Sequence, residues 1–186
     1  VGYKPYEQWL RLVGARYGSF VKVWQFWGEP NSETFWKPAP DLAHYVKLLK
    51  LADKFLPGIV YAGNLANVKG TDVPDFEAMR VLRDLGAFKC GRRLGFNPYT
   101  QGSVESRRRL TVQAMEIVGV PVAWTEFGHS TGWGFNSDAV KQRNAEGIQI
   151  AREIGVDAWL YEWENPYAVG NVEKGFSLRP ANDNRT

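Results

Sequence analysis

The sequence is poor in the residues from which many sites are built. Among 186 residues there is one cysteine, Cys90, and there are two histidines, His44 and His129. A single thiol excludes an internal disulfide and a cysteine-based zinc site, and it leaves the redox compartment open. Cys90 reads as a small buried hydrophobe. The histidines lack ligand spacing, so no histidine-based metal site follows. Ser130 lies beside His129, but no glycine-serine-glycine elbow surrounds it to make a nucleophile. No run approaches the roughly 18 apolar residues of a membrane helix. The opening VGYKPYEQW has neither the basic nor the apolar region of a signal peptide. It also lacks an initiator methionine, so the chain reads as a processed product or a piece of something longer. The compartment stays open, secreted and periplasmic settings included. A net charge of +3 with scattered basic residues does not call for nucleic acid. Arg107 to Arg109 read as a solvated helix face rather than a phosphate site.

What is present is an ordinary soluble composition, 44% hydrophobic and 23% charged, long enough for one domain with a full core. The aromatic share is 14% and includes eight tryptophans. Several gather beside Glu29 and Glu126 and again near Tyr161, where a flat ligand face could stack or where they could fill core.

The organising stretch is Val21 to Asn31, VKVWQFWGEPN. Its strand-forming run is stopped by Pro30, which presents Glu29 at the strand's C-terminal rim. Pro121 to Gly128, PVAWTEFG, places Glu126 in the same way. Between and around them helices and strands alternate. Pro5 to Gly18 has helical spacing at Tyr6, Trp9, Leu10, Val13 and Tyr17. A second helix is capped by Asp41, buries Tyr45, Val46, Leu49 and Ala52, and runs to about Phe55. Ile59 to Ala62 is a short strand closed by Gly63-Asn64. Then come a helix over 75–85, a strand over 93–96 ending in Asn97-Pro98-Tyr99, and a helix over 104–118. After the Glu126 strand, HSTGWGFNS opens a helix capped by Ser137 or Asp138, and Ala158 to Trp163 is the last strand. The tail over 165–186 looks irregular. Five strands separated by helices argue for parallel βαβ units.

Periodicity alone leaves two architectures, an open doubly wound sheet or part of an eight-strand barrel. A nucleotide-binding open sheet wants a glycine-rich turn after its first strand, and none is present. Gly132 and Gly134 follow the fourth strand and lack the third glycine. Two carboxylates at the ends of separate parallel strands in aromatic surroundings suit glycosidic bond cleavage, one protonated and one ionised. The charge of one raises the pKa of the other. Glu33, Glu162 and Glu164 compete for the same roles.

The segment WGEPNSETFWKP with the helix LAHYVKLLKLADKF, together with Asn97-Pro98-Tyr99 and Thr125-Glu126-Phe127-Gly128, resembles the retaining glycoside hydrolases of the large (β/α)8 clan. It is most similar to the β-xylosidase and cellulase-like branch, over Pro5 to about Leu178. The resemblance implies a single incomplete α/β domain over 1–186, a partial TIM barrel made of strands four to eight with flanking helices. It makes Glu29 the acid/base and Glu126 the nucleophile, with no metal or organic cofactor. Asn97, Tyr99 and Trp163 fall in the sugar subsite nearest the bond, Trp163 as a stacking platform. Trp27, Trp124 and Trp133 shape the cleft, and Asn31 and Tyr161 join the substrate-binding set. Trp24 and Phe26 differ in strand parity from Glu29 and face the helices.

Two positions depart from the family pattern. Gly28 stands where the clan has an asparagine that holds the sugar 2-hydroxyl, and Asn97 stands where it has histidine. The implied activity is hydrolysis of O-glycosidic bonds in a polysaccharide or oligosaccharide. The competing implication is a silent fragment or a carbohydrate-binding relative. Barrels of this kind run to about 250 residues, so the expected partners are a carbohydrate and either the absent first three units or a second copy meeting the exposed strand edges. Neither nucleic acid nor membrane is expected.

Overall fold

The computed structural model describes residues 3–89 and 91–161. Five strands form one parallel sheet: β1 (Val23–Phe26), β2 (Ile59–Leu65), β3 (Arg93–Phe96), β4 (Val122–Phe127) and β5 (Asp157–Leu160). Their order in the sheet is their order in the chain. A doubly wound sheet reverses direction at a switch point, whereas a barrel arc never does. The unbroken order therefore decides between the two architectures, and the fold is a half-barrel of the TIM type.

The connecting helices are α1 (Lys4–Tyr17), α2 (Leu42–Ala52), α3 (Phe76–Asp84), α4 (Val104–Val118) and α5 (Ser137–Glu153). Each packs on its neighbour in sequence along the convex side. Local chemistry explains their starts: Asp41, Asp75 and Ser103 each accept a backbone N–H of the first turn. For α5 the cap is Asn136, one residue before the expected Ser137 or Asp138. α2 stops at Ala52, short of Phe55. In α1 only Leu10 is buried, while Trp9 lies against Tyr6 and is 54% exposed.

Strand alternation separates two faces. Phe26, Val60, Ala62, Leu94, Phe96, Val122 and Trp124 join Leu10, Tyr45, Leu49, Met79 and Leu82 of the helices in one core. The concave face is polar by contrast. There the Tyr61 hydroxyl donates to Asp157 Oδ2 at 2.6 Å, and the Arg93 guanidinium lies 3.4 Å from that hydroxyl and 3.6 Å from the same carboxylate. Trp159 packs edge-on against Tyr61 and is 44% exposed. β1 and β5 each pair on one side only among the described residues.

Strand ends differ from expectation, β5 stopping at Leu160, and two of the differences shape the site. β1 ends at Phe26, three residues before Glu29. β2 continues past Gly63-Asn64 to Leu65 because those two residues take positive φ, 104° and 50°. The ladder resumes one residue out of register, Leu65 opposite Phe96. Tyr45, fully buried on α2, ties the two strand ends together: its hydroxyl accepts Gly63 N–H at 2.7 Å and donates to Phe26 C=O at 3.1 Å.

Candidate active site

Glu29 reaches the C-terminal rim by a kinked route. After Phe26 the chain leaves the extended conformation at Trp27 (φ 67°) and again at Glu29 itself (φ 42°). Non-glycine residues rarely adopt such angles. The Glu29 N–H donates to Asn64 C=O at 3.2 Å, and its own C=O accepts Ser32 N–H at 2.9 Å. Glu29 is thus mounted on a turn beyond the strand, not on the strand's last residue. Trp27 packs on Trp36 with ring centroids 5.1 Å apart and stays 39% exposed at the rim.

Glu126 belongs to β4, and its direction depends on a register shift. Between Trp124 and Phe127 the pairing with β5 slips. Trp124 and Phe127 both turn to the core, their rings 5.4 Å apart, while Thr125 and Glu126 turn to the concave side. Trp124 therefore does not shape the cleft as expected. It is fully buried and donates from its indole N–H to the Thr111 hydroxyl of α4 at 2.9 Å.

The two carboxylates meet one hydrogen-bonded cluster. Asn97 Nδ2 donates to Glu29 Oε1 at 3.0 Å. The Tyr99 hydroxyl donates to Glu126 Oε2 at 3.1 Å, and Asn64 Nδ2 lies 3.5 Å from Glu126 Oε1. The Thr125 hydroxyl bonds Asn64 Oδ1, and it lies 3.1 Å from Asn97 Oδ1. Room for Thr125 comes from Gly95, where a Cβ would lie 2.7 Å from the threonine methyl. The Tyr99 phenol is pushed far above its ordinary value, first by burial, then by the charge and hydrogen bond of Glu126, and further by Tyr161 and Glu29. It therefore stays a hydrogen-bond donor, and both carboxylates act on it.

Around Tyr99 stand Trp133 and Tyr161, each edge-on, with centroids 6.4 and 6.2 Å away. Trp133 comes from the short 3-10 turn Thr131–Trp133, and Tyr161 is held by its N–H on Phe127 C=O at 2.7 Å. These three rings make the aromatic wall. Trp163, Glu162, Glu164, the 165–186 tail and Cys90 lie outside the described residues.

Several expected roles change. Asn31 is a tie between loops: its amide donates to Ala66 C=O and Asp75 Oδ2 and accepts Ala66 N–H, each at 3.0 Å, which uses its donors within the fold. Asn97 is fully buried and supports Glu29 rather than lining the surface of the cleft. Arg107 is not on a solvated face but fully buried. Its Nε donates to Pro98 C=O at 3.0 Å, and its guanidinium lies over the Trp124 and Phe127 rings. Burial lowers its pKa to about 10. It braces the segment that carries Asn97 and Tyr99. His129 is buried between Trp133 and Phe135, 3.4 Å from Asn144 Oδ1. Ser130 accepts Gly132 N–H and caps the 3-10 turn, so the pair forms no triad.

Sequence reasoning missed Asn64. Gly63-Asn64 registers only as a chain break, and the sole signal of more was an asparagine where a second glycine would serve the turn. Among the described residues no group of three or more His, Cys, Asp or Glu could hold a metal ion, and no helix is long and apolar enough to cross a membrane.

No family model matches the chain, and no curated protein matches it. Among solved structures it is similar to the hyperthermostable endo-1,4-beta-D-mannanase from Thermotoga petrophila RKU-1, solved with maltose and glycerol. The identity is 16% and the TM-score 0.49, with 85% of this chain and 52% of that one covered. The chain thus spans about half the length of that structure.

Proposed function

We propose that this half-barrel carries the two-carboxylate site of a retaining glycosidase acting on a polysaccharide or oligosaccharide. The observation that carries the proposal is the shared cluster of Asn97, Thr125, Asn64 and Tyr99, which joins Glu29 on the turn after β1 to Glu126 of β4. Glu29 gives its proton to the glycosidic oxygen as Glu126 attacks the anomeric carbon. The C–O bond breaks, the alcohol leaves, and a glycosyl ester forms on Glu126. Glu29, now a carboxylate, takes a proton from water, whose oxygen displaces Glu126 and restores both groups. The rings of Tyr99, Trp133 and Tyr161 give the sugar a flat apolar face.

The specific branch suggested by the sequence, the β-xylosidase and cellulase-like one, belongs to the same proposal. So does completion of the ring: the one-sided edges of β1 and β5 suit three further parallel βα units.

The test is hydrolysis of aryl glycosides by the parent, Glu126→Gln and Glu29→Gln. Glu126→Gln loses roughly four orders of magnitude in kcat. Glu29→Gln loses about 10²- to 10⁴-fold, least with the best leaving groups. Activity in the parent that survives Glu126→Gln removes the nucleophile assignment. One observation favours a second reading, binding without turnover: Gly28 has no side chain to meet a sugar hydroxyl. Retention of the parent on an oligosaccharide column, with no hydrolysis, would establish that alternative.

A further inference from the structure

We infer that Asn64 is a positioning residue that aims the Glu126 carboxylate with its side-chain amide and sets the placement of Glu29 with its backbone carbonyl. The inference rests on the glycosidase reading for its consequence, but its geometry stands apart from it. Asn64 is 1% exposed and adopts φ 50°. Glycine would satisfy that angle with no side chain to bury. Asparagine tolerates it but brings an amide that must find partners once buried. Both ends of that amide point to the site: Oδ1 takes the Thr125 hydroxyl, and Nδ2 faces Glu126 Oε1 at 3.5 Å. Its C=O accepts Glu29 N–H at 3.2 Å. Asn64 thus bonds both carboxylate-bearing residues, one through the main chain and the other through the side chain.

Thr125 gives the arrangement its sense. A hydroxyl has one proton, and here it goes to Asn64 Oδ1, which turns Nδ2 toward Glu126. Asn97 is the counterpart for Glu29, with Nδ2 on Oε1 at 3.0 Å and Oδ1 at 3.1 Å from the same hydroxyl. Two amides, each aimed at a different carboxylate, thus meet at one hydroxyl. Tyr99 holds Glu126 Oε2, so Asn64 and Tyr99 together fix both oxygens of that group.

The experiment is a 13C NMR titration of the Glu126 carboxyl, assigned by its loss in Glu126→Gln, in the parent, Asn64→Gly and Thr125→Val. Asn64→Gly keeps the positive φ and removes only the amide. Its Glu126 midpoint rises by about 0.5 to 1 pH unit, because an N–H donor favours the ionised form. Thr125→Val moves the midpoint in the same direction by less. An unmoved midpoint in Asn64→Gly with parent-like thermal melting overturns the inference. If Asn64→Gly does not fold, an unmoved midpoint in Thr125→Val overturns it instead. Hydrolysis is measured in the same samples, where Asn64→Gly lowers kcat about tenfold or more with KM held. A parent without hydrolysis removes the proposed function, while the titration still decides what Asn64 does.

Discussion

Glu29 and Glu126 face one cluster but are mounted in different ways. Glu126 sits inside a ladder, turned by a one-residue slip between Trp124 and Phe127, with a core of Trp124, Phe127 and Arg107 behind it. Glu29 sits on a turn three residues past its strand, with positive φ at 27 and 29 and its N–H resting on the neighbouring strand's Asn64. One carboxylate is placed by packing and the other by backbone conformation and a borrowed carbonyl. The difference teaches that a strand-end glutamate in a sequence is a statement about proximity to the rim, not about how the side chain is aimed.

The largest effect that separates the two mounts is expected from acid. His129 lies behind the Glu126 wall, and burial, with the charge of Arg107, lowers its pKa to about 4. The unfolded chain binds that proton near 6.5. The neutral imidazole therefore contributes fully above pH 6.5, and the contribution is lost as pH falls toward 4. The loss amounts to about 3 kcal/mol at most. Chemical denaturation between pH 7 and 4 reads it, and His129→Gln flattens that part of the curve. Retention of the full slope in His129→Gln would assign it to other groups.

A smaller effect compares the supports directly. Under the proposed mechanism, Asn97→Ala removes one hold on Glu29 and Tyr99→Phe one hold on Glu126 Oε2, each costing about 10- to 100-fold in kcat. Their pH profiles differ, since Tyr99→Phe acts on the limb of the proposed nucleophile and Asn97→Ala on the limb of the proposed acid. Identical profiles would mean that the two mounts act as one unit. The smallest effect is a gain. A Cβ on Gly28 meets no atom within 4 Å, so a side chain can begin there, and Gly28→Asn would supply an amide to the proposed sugar site. About a tenfold rise in kcat/KM on 2-hydroxy glycosides, absent on 2-deoxy ones, is expected from hydrogen bonds that tighten in the transition state.

The fold was legible where local patterns decide. β3 and α4 fall on the expected residues, and Tyr45, Val46, Leu49 and Ala52 form the buried face of α2 as their spacing requires. Asp41 caps that helix as its position before the first turn suggests. Periodicity left open sheet and barrel undecided, because the choice rests on strand order rather than on any one strand; the family resemblance pointed to the partial TIM barrel that the strand order bears out. Within the site, Glu29, Glu126 and Tyr99 stood out by type and motif. Trp124, which the resemblance placed in the cleft, turns to the core instead, because the slip after it puts it on the opposite side from Glu126. Arg107 misled because three consecutive arginines look alike in sequence, though one points under Pro98 and onto two rings. Asn64 escaped because its partners, Glu126 and Thr125, are some sixty residues away.

Tyr61, Arg93 and Asp157 span the second, third and fifth strands beneath this cluster. They act as a bowstring drawn across the arc. A strut of that kind bears on how far the rims stand apart, so the span between the mouth's two walls is influenced from below by side chains outside the carboxylate cluster. Slackening it, as Tyr61→Phe would, lets the two walls move apart without changing any side chain at the rim.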